Sequence, residues 1–391
     1  MKSSALLRER PALCLISGIR SHSKLSLLLL AGAVGGLASP AFGQSRYLET
    51  NLVSDVPGLA AATDPHLVNP WGLSVSPTSP WWVSDNGTGL STLYNGAGAI
   101  QSLVVTIPTS AGATPPATPT GTVFNGTADF EVGTGQPAKF LFANEDGAIS
   151  GWNPAANATN AIVKVDNGGK AVYKGLALAQ IDGANYLYAA NFFSGAIDVF
   201  DRTFAPVNLG AGAFRDPWIP KGYAPFNVQL IGTQLYVTYA KQDSEKMDEV
   251  DGAGRGFVSV FTTKGQLVHR LLWGPWMNAP WGVALAPANF GRFSGKLLVG
   301  QFGSGEIAVF DPSHGFFLGR FRVADGHLLK IDGLWALAFG NGAGAGPVNT
   351  LYFTAGLDGE AHGLFGTLTP TAATNKGGDK NDGDDDDDDG D

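Results

Sequence analysis

The sequence predicts an all-β fold, a six-bladed β-propeller with four-stranded blades, and three observations predict it. The first is composition. Glycine accounts for 54 of the 391 residues and proline for 23, only 15% are charged, and nine Trp and 23 Phe are spread along the chain. Such a chain is dense in turns and strands and has a large core to bury. The second is a recurring phrase: an apolar strand, a Leu/Tyr/Val-rich strand, a glycine turn and a third strand ending near Phe-Asp. Its clearest copies are Asn185–Asp201 and Gly295–Asp311. The third is spacing. The anchors Gly72, Gly126, Gly175, Asn227, Gly282 and Trp335 lie 54, 49, 52, 55 and 53 residues apart. Four short strands per unit of about 50 residues is a propeller blade. A pair of β-sandwiches would not predict so even a spacing.

In chain order, residues 1–43 read as a signal peptide. Arg8, Arg10, Arg20 and Lys24 form a basic region, Leu25–Leu37 an apolar run of 13 residues, and Ala41-Phe42-Gly43 a cleavage site before Gln44. The apolar run is too short to span a bilayer well, so no transmembrane helix is expected in the mature chain. Export to the periplasm or the exterior is the expectation. The single cysteine, Cys14, lies in this leader, so the mature chain has no disulfide.

The propeller is expected over residues 44–370. Its blades begin with the strands Trp71–Val75, Gly126–Val132, Gly175–Ala179, Asn227–Ile231, Gly282–Ala286 and Leu334–Phe339. The sixth blade lacks a fourth strand, and Tyr47–Val53 is left over at the other end. Pairing the two closes the ring and removes an exposed edge. Thr109–Thr120 reads as a Pro/Thr/Ala-rich linker between blades one and two. Residues 371–391 form an acidic tail expected to be disordered, with nine Asp and two Lys after Asn375. Against a net charge of −9, this acidity argues against nucleic acid as a partner.

A site is expected where six sets of loops converge on one face of the ring. The loops leading into the innermost strands carry Asn69, Asn125, Asn227, Asn278 and Asp332, expected to form a polar ring, beside aromatics that wedge between blades. The loops between second and third strands carry Asp85, Asn144, Glu145, Asp146, Asn191 and His362, in turn sequences such as Asp-Asn-Gly and Glu-Asp-Gly. The candidate ligand-binding residues are Asn69, Asp85, Asn144, Glu145, Asn191, Asn227, Asn278, Asp332 and His362. Carboxylate and amide oxygens at a channel mouth suit a hard cation. Glu145, Asn227, Asn278 and Asp332 are the candidate metal ligands, with calcium the expected ion. Blade four departs from the pattern with the charged insertion Ala240–Gly256, which reads as a lid, a partner epitope or a solvated loop. No His-Glu-x-x-His, no Gly-x-Ser-x-Gly and no EF-hand loop is present.

The copies Gly195–Asp201 (GAIDVFD) and Gly305–Asp311 (GEIAVFD) resemble the strand signature of NHL-like six-bladed propellers. Asn69-Pro70-Trp71-Gly72-Leu73, Phe142–Gly147, Asn278–Gly282 and Ile331–Leu337 resemble, in order, a bacterial exported family of similar length without an assigned activity. The resemblance covers residues 46–370 and implies an exported propeller; it supplies no catalytic residue. The expected function is a binding or scaffold module for a small molecule, glycan or protein, acting as a monomer. The alternative is a divalent-metal-dependent hydrolase, lactonase or lyase.

Overall fold

The structure, a computed structural model, describes residues 46–371; the expected leader and acidic tail lie outside the described residues. Alternating apolar strands separated by tight turns pair into six blade sheets that follow one another round a ring, with Glu131–Gly133 and Gln136–Pro137 forming a separate small hairpin. Within each blade consecutive strands are antiparallel from the innermost outward, and in blade six Ala62–Thr63 adds a short parallel edge to Arg46–Ser54. Blade one comprises Pro70–Ser74, Trp81–Asp85, Leu90–Tyr94 and Val105–Thr106. Blades four and five have the same four-stranded form, from Tyr223–Ile231 and Pro280–Leu285. Blade three has three strands, its fourth reduced to a bridge between Phe200 and Pro206.

The ring closes as the leftover strand predicts. Arg46–Ser54 pairs antiparallel with His362–Thr371, the third strand of blade six. Tyr47 then buries its ring against blade five, stacked on Phe321 with centroids 3.8 Å apart. The first strand of the chain is thus locked to the last by backbone bonds and aromatic burial together. No helix among the described residues is long and apolar enough to cross a membrane.

Blade two corrects the expected strand limits. Its innermost strand is Pro119–Phe124, not Gly126–Val132, and it pairs with Phe140–Asn144. The anchor of this blade is therefore Gly121. A Cβ there would lie 2.5 Å from the Leu176 amide nitrogen of blade three, so only glycine allows the two inner strands to approach. Gly282 is held likewise, its Cβ position 2.4 Å from the Trp335 carbonyl oxygen. Two consequences follow. Asn125 comes after the inner strand rather than before it, at the end away from the loop face, where its amide caps the Asp129 and Ala138 carbonyls. The Pro/Thr/Ala-rich segment is no linker but the loop that leads onto the site face, with Ala117 buried in the core between blades one and two.

Candidate functional site

Aligning the inner strands on Gly72, Gly121, Gly175, Asn227, Gly282 and Ala336 fixes which residues precede them. These are Trp71, Thr120, Lys174, Phe226, Trp281 and Trp335. Four of the six are aromatic, and they meet at the channel mouth. Trp71 stacks on Trp335 with centroids 3.5 Å apart, and Trp281 stands edge-on to both at 6.0 and 5.9 Å. Phe226 fills the gap, 5.8 Å from Trp335, while Phe302 stacks on its other side at 4.0 Å. The channel is therefore plugged by aromatic rings.

Two positions break the aromatic rule, Thr120 in blade two and Lys174 in blade three. Lys174 has 1% of its side chain exposed, and its ammonium lies 5.1 Å from the Trp71 ring and 5.8 Å from Phe192. Burying an ammonium is costly unless it is paired. Glu145, from the second-to-third strand loop of blade two, pairs with it directly. Asp248, from the blade-four insertion, pairs with it at 3.0 Å. Burial alone would push the lysine pKa down, but the Glu145, Glu249 and Asp248 carboxylates outweigh it and hold the group above the ordinary lysine value. An ammonium held protonated in this way is no nucleophile at neutral pH.

From Glu145 the network continues across blades one and six. Asn86 donates to Glu145 at 2.9 Å, and Asn69 donates to Asn86 at 3.3 Å and to Glu360 at 2.6 Å. The Asn69 oxygen accepts from the Trp335 indole at 3.0 Å. Glu360 is aimed by a strained turn in which Asp358 and Glu360 both have left-handed φ, 53° and 70°. The blade-four insertion is a strap. The Val250 amide donates to the Lys241 carbonyl, the Asp243 amide to the Asp248 carbonyl, and Gln242 to the Phe192 carbonyl. It delivers Asp248 and Glu249 over Lys174.

The result is one buried ammonium among four coupled carboxylates: Glu145, Asp248, Glu249 and Glu360. The excess charge registers in the acids. Glu249 is pushed up to about 7, chiefly by burial and further by Glu360 and Asp248, against the pull of Lys174. Glu360 is raised too, first by burial and then by Glu145 and Asp248, although the Asn69 bond lowers it.

Of the residues expected from sequence, Asn69 and Glu145 lie at this centre. The others are spent elsewhere, and the expected ring of amides does not form. Asn227 donates to the Trp281 carbonyl at 2.9 Å and accepts from the Val228 amide, while Asn278 accepts from the Gly252 amide and anchors the strap. Asn191 bonds Asp198 and its own turn, and Asn144 holds the Pro108 carbonyl at 2.8 Å. Asp85 is wholly buried at the end of its strand, on the same strand face as Trp81 and Val83. There it accepts from the Thr92 amide, and burial raises its carboxyl well above the usual range. Asp332 is exposed at the rim and accepts from the Asp358 amide. His362 is held by Asp55 at 2.8 Å, which raises its pKa. Glu145, Asn227, Asn278 and Asp332 thus have four different sets of partners, and among the described residues no group of three or more His, Cys, Asp or Glu is placed to hold a metal ion.

Sequence reasoning did not single out Lys174. The signal was present: a charged residue at the repeat position that holds Trp in three other blades. Glu249 and Glu360 carried no such signal.

No protein-family model matches the chain. The solved structure of a Bacteroides thetaiotaomicron protein of unknown function is similar over 84% of this chain and 77% of that one, at 12% identity and a TM-score of 0.50. A streptogramin B lyase structure aligns over 85% of this chain and all of its own, at 12% identity and a TM-score of 0.49. At these identities the likeness is one of fold alone. Uncharacterized protein L690 of Acanthamoeba polyphaga mimivirus is 34% identical over 343 residues, covering 84% of this chain and 88% of that protein. Uncharacterized protein R648 of the same virus is 33% identical over 342 residues, covering 84% and 82%. A β-propeller that shares a third of its residues with these two proteins over most of their length, the chain belongs to the family of L690 and R648.

Proposed function

We propose that this propeller is a binding module whose loop face accepts a cationic group carried by a small amine or by a basic segment of a partner. The observation that carries this reading is the uncompensated charge at the channel mouth, four carboxylates around the single ammonium of Lys174. A cation docked against Glu249, Glu360 and Asp248 would return Glu249 to its ionised state and relieve the repulsion. The hydrolase, lactonase or lyase reading finds less support. Its metal ligands do not share a centre, and Lys174 is held protonated by the carboxylates around it.

The test is calorimetric titration at low ionic strength with spermidine, in parallel with CaCl₂. The expected result is saturable spermidine binding that weakens with salt and is lost in Glu249→Gln/Glu360→Gln. Absence of binding by the wild type, or binding indifferent to both substitutions, would overturn the reading. Tight calcium binding would replace it with the metal alternative. Export belongs to the same proposal, resting on the basic and apolar segments before Gln44. N-terminal sequencing of protein secreted by a bacterial host checks it, with Gln44 the expected first residue.

A further inference from the structure

A cleft of about 510 Å³ opens on the outer side of blade four, away from the channel mouth. It is lined by Trp218 and Ile219 from the loop after blade three, by Phe257–Ser259, and by Arg270–Trp273 at the end of the fourth strand. Its volume falls in the range of small-molecule sites, which are mostly apolar with a few fixed polar groups. Two features mark it as built rather than incidental.

The first is its aromatic walls. Trp218 is 77% exposed and Trp273 54% exposed, an uncommon state for two of the most costly side chains to leave in water. Trp273 is nonetheless held in place, stacked on Phe257 and donating its indole N–H to the Gly254 carbonyl at 3.0 Å. The second is Arg270. Its Nε and Nη2 both donate at 2.6 Å to the buried carboxylate of Asp216. Asp216 also accepts from the Ser259 hydroxyl and the Trp218 amide. Burial alone would raise this carboxyl, but those donors hold it below the ordinary aspartate range. The guanidinium is thus fixed by one edge, with its Cζ 5.5 Å from the centre of the Trp218 ring. The other edge, formed by Nη1 and the outer hydrogen of Nη2, has no acceptor among the described residues, and Arg270 is one of the residues lining the cleft. A rigid guanidinium edge matches a carboxylate in bidentate fashion, and an indole face accepts a flat ring.

We propose that this cleft is a second binding site, specific for a small planar apolar molecule bearing a carboxylate. The ring lies against Trp218 and Trp273, and the carboxylate pairs with the open edge of Arg270. This site is independent of the cation-binding reading of the channel mouth.

The test uses 1-naphthoate and its uncharged analogue 1-naphthalenemethanol in calorimetric titrations of the full chain. The wild type should bind naphthoate saturably and at least about tenfold more tightly than the alcohol, as a bidentate charged pair contributes. Trp218→Ala, at a site too exposed to disturb folding, should weaken both ligands about tenfold. Arg270→Lys should cancel the preference for the acid while leaving alcohol binding within twofold. Should that variant fail to fold, the acid-to-alcohol ratio of the wild type decides the charge claim alone. Equal affinity for acid and alcohol in the wild type overturns the carboxylate assignment. No saturable binding, or binding unchanged by Trp218→Ala, overturns the site.

Discussion

Blades three and five place different kinds of residue at the same inner-strand position before the anchor glycine. Blade five reads Pro280-Trp281-Gly282-Val283 and blade three Tyr173-Lys174-Gly175-Leu176. Trp281 closes the channel by area: its ring packs on Trp71 and Trp335, and its indole N–H reaches the Lys174 carbonyl at 3.0 Å. Lys174 occupies the same place in the ring but recruits two distant loops, through Glu145 and Asp248. An aromatic at this position needs only its neighbours, whereas a cation there needs carboxylates brought from elsewhere. One substitution within a repeat thus converts a plug into a charged hub.

The strongest way to break this contrast is to remove the cation. Lys174→Ala should cost about 3–5 kcal/mol in urea unfolding at pH 7, because Glu145 is left without its partner in a mostly buried site. Lys174→Trp, which restores the repeat residue, should not recover that loss by itself; combined with Glu145→Leu it should recover most of it. Recovery by Lys174→Trp alone would show that the position selects for size rather than charge. On the other side of the comparison, Trp281→Ala should cost about 3 kcal/mol or more through the cavity it leaves, with no dependence on salt or pH.

A smaller effect sharpens the charge side. Glu249 has its folded pKa raised to about 7, above its value in the unfolded chain. The folded state then binds more protons than the unfolded one between about pH 4.5 and 7, so this group makes the fold less stable as pH rises through that window. Glu249→Gln should therefore stabilise the protein by about 1–2 kcal/mol at pH 8 and by little at pH 5, measured by urea unfolding at both values. The smallest expected effect is at the rim. His362 should titrate above an ordinary histidine by NMR, and Asp55→Asn should return it towards the ordinary value without a measurable change in stability.

Much of the fold was legible because it is written locally. Strand alternation, turn residues and the 49- to 55-residue spacing of the inner-strand anchors are all short-range patterns. Ring closure by Arg46–Ser54 was legible by elimination, since one blade lacked a strand and one strand lacked a blade. Blade two was misread because Gly126 follows its inner strand, while the true anchor, Gly121, follows a Pro-rich segment that looks like a linker. The site was legible only in part. Asn69 and Glu145 stand on the loops where convergence was expected. Asn278 stands there too, and Asn227 within the inner strand Tyr223–Ile231, but each is used to hold backbone.

By itself the sequence determined the number of blades, their order and the face on which the loops meet, because those follow from periodicity and turn chemistry within each repeat. Only the tertiary structure decided what that face contains. Lys174, Glu145, Asp248, Glu249 and Glu360 come from four different blades, and Arg270 meets Asp216 and Trp218 across 54 and 52 residues of chain. Charges act through space and not along the chain, so their balance exists only after the ring has closed.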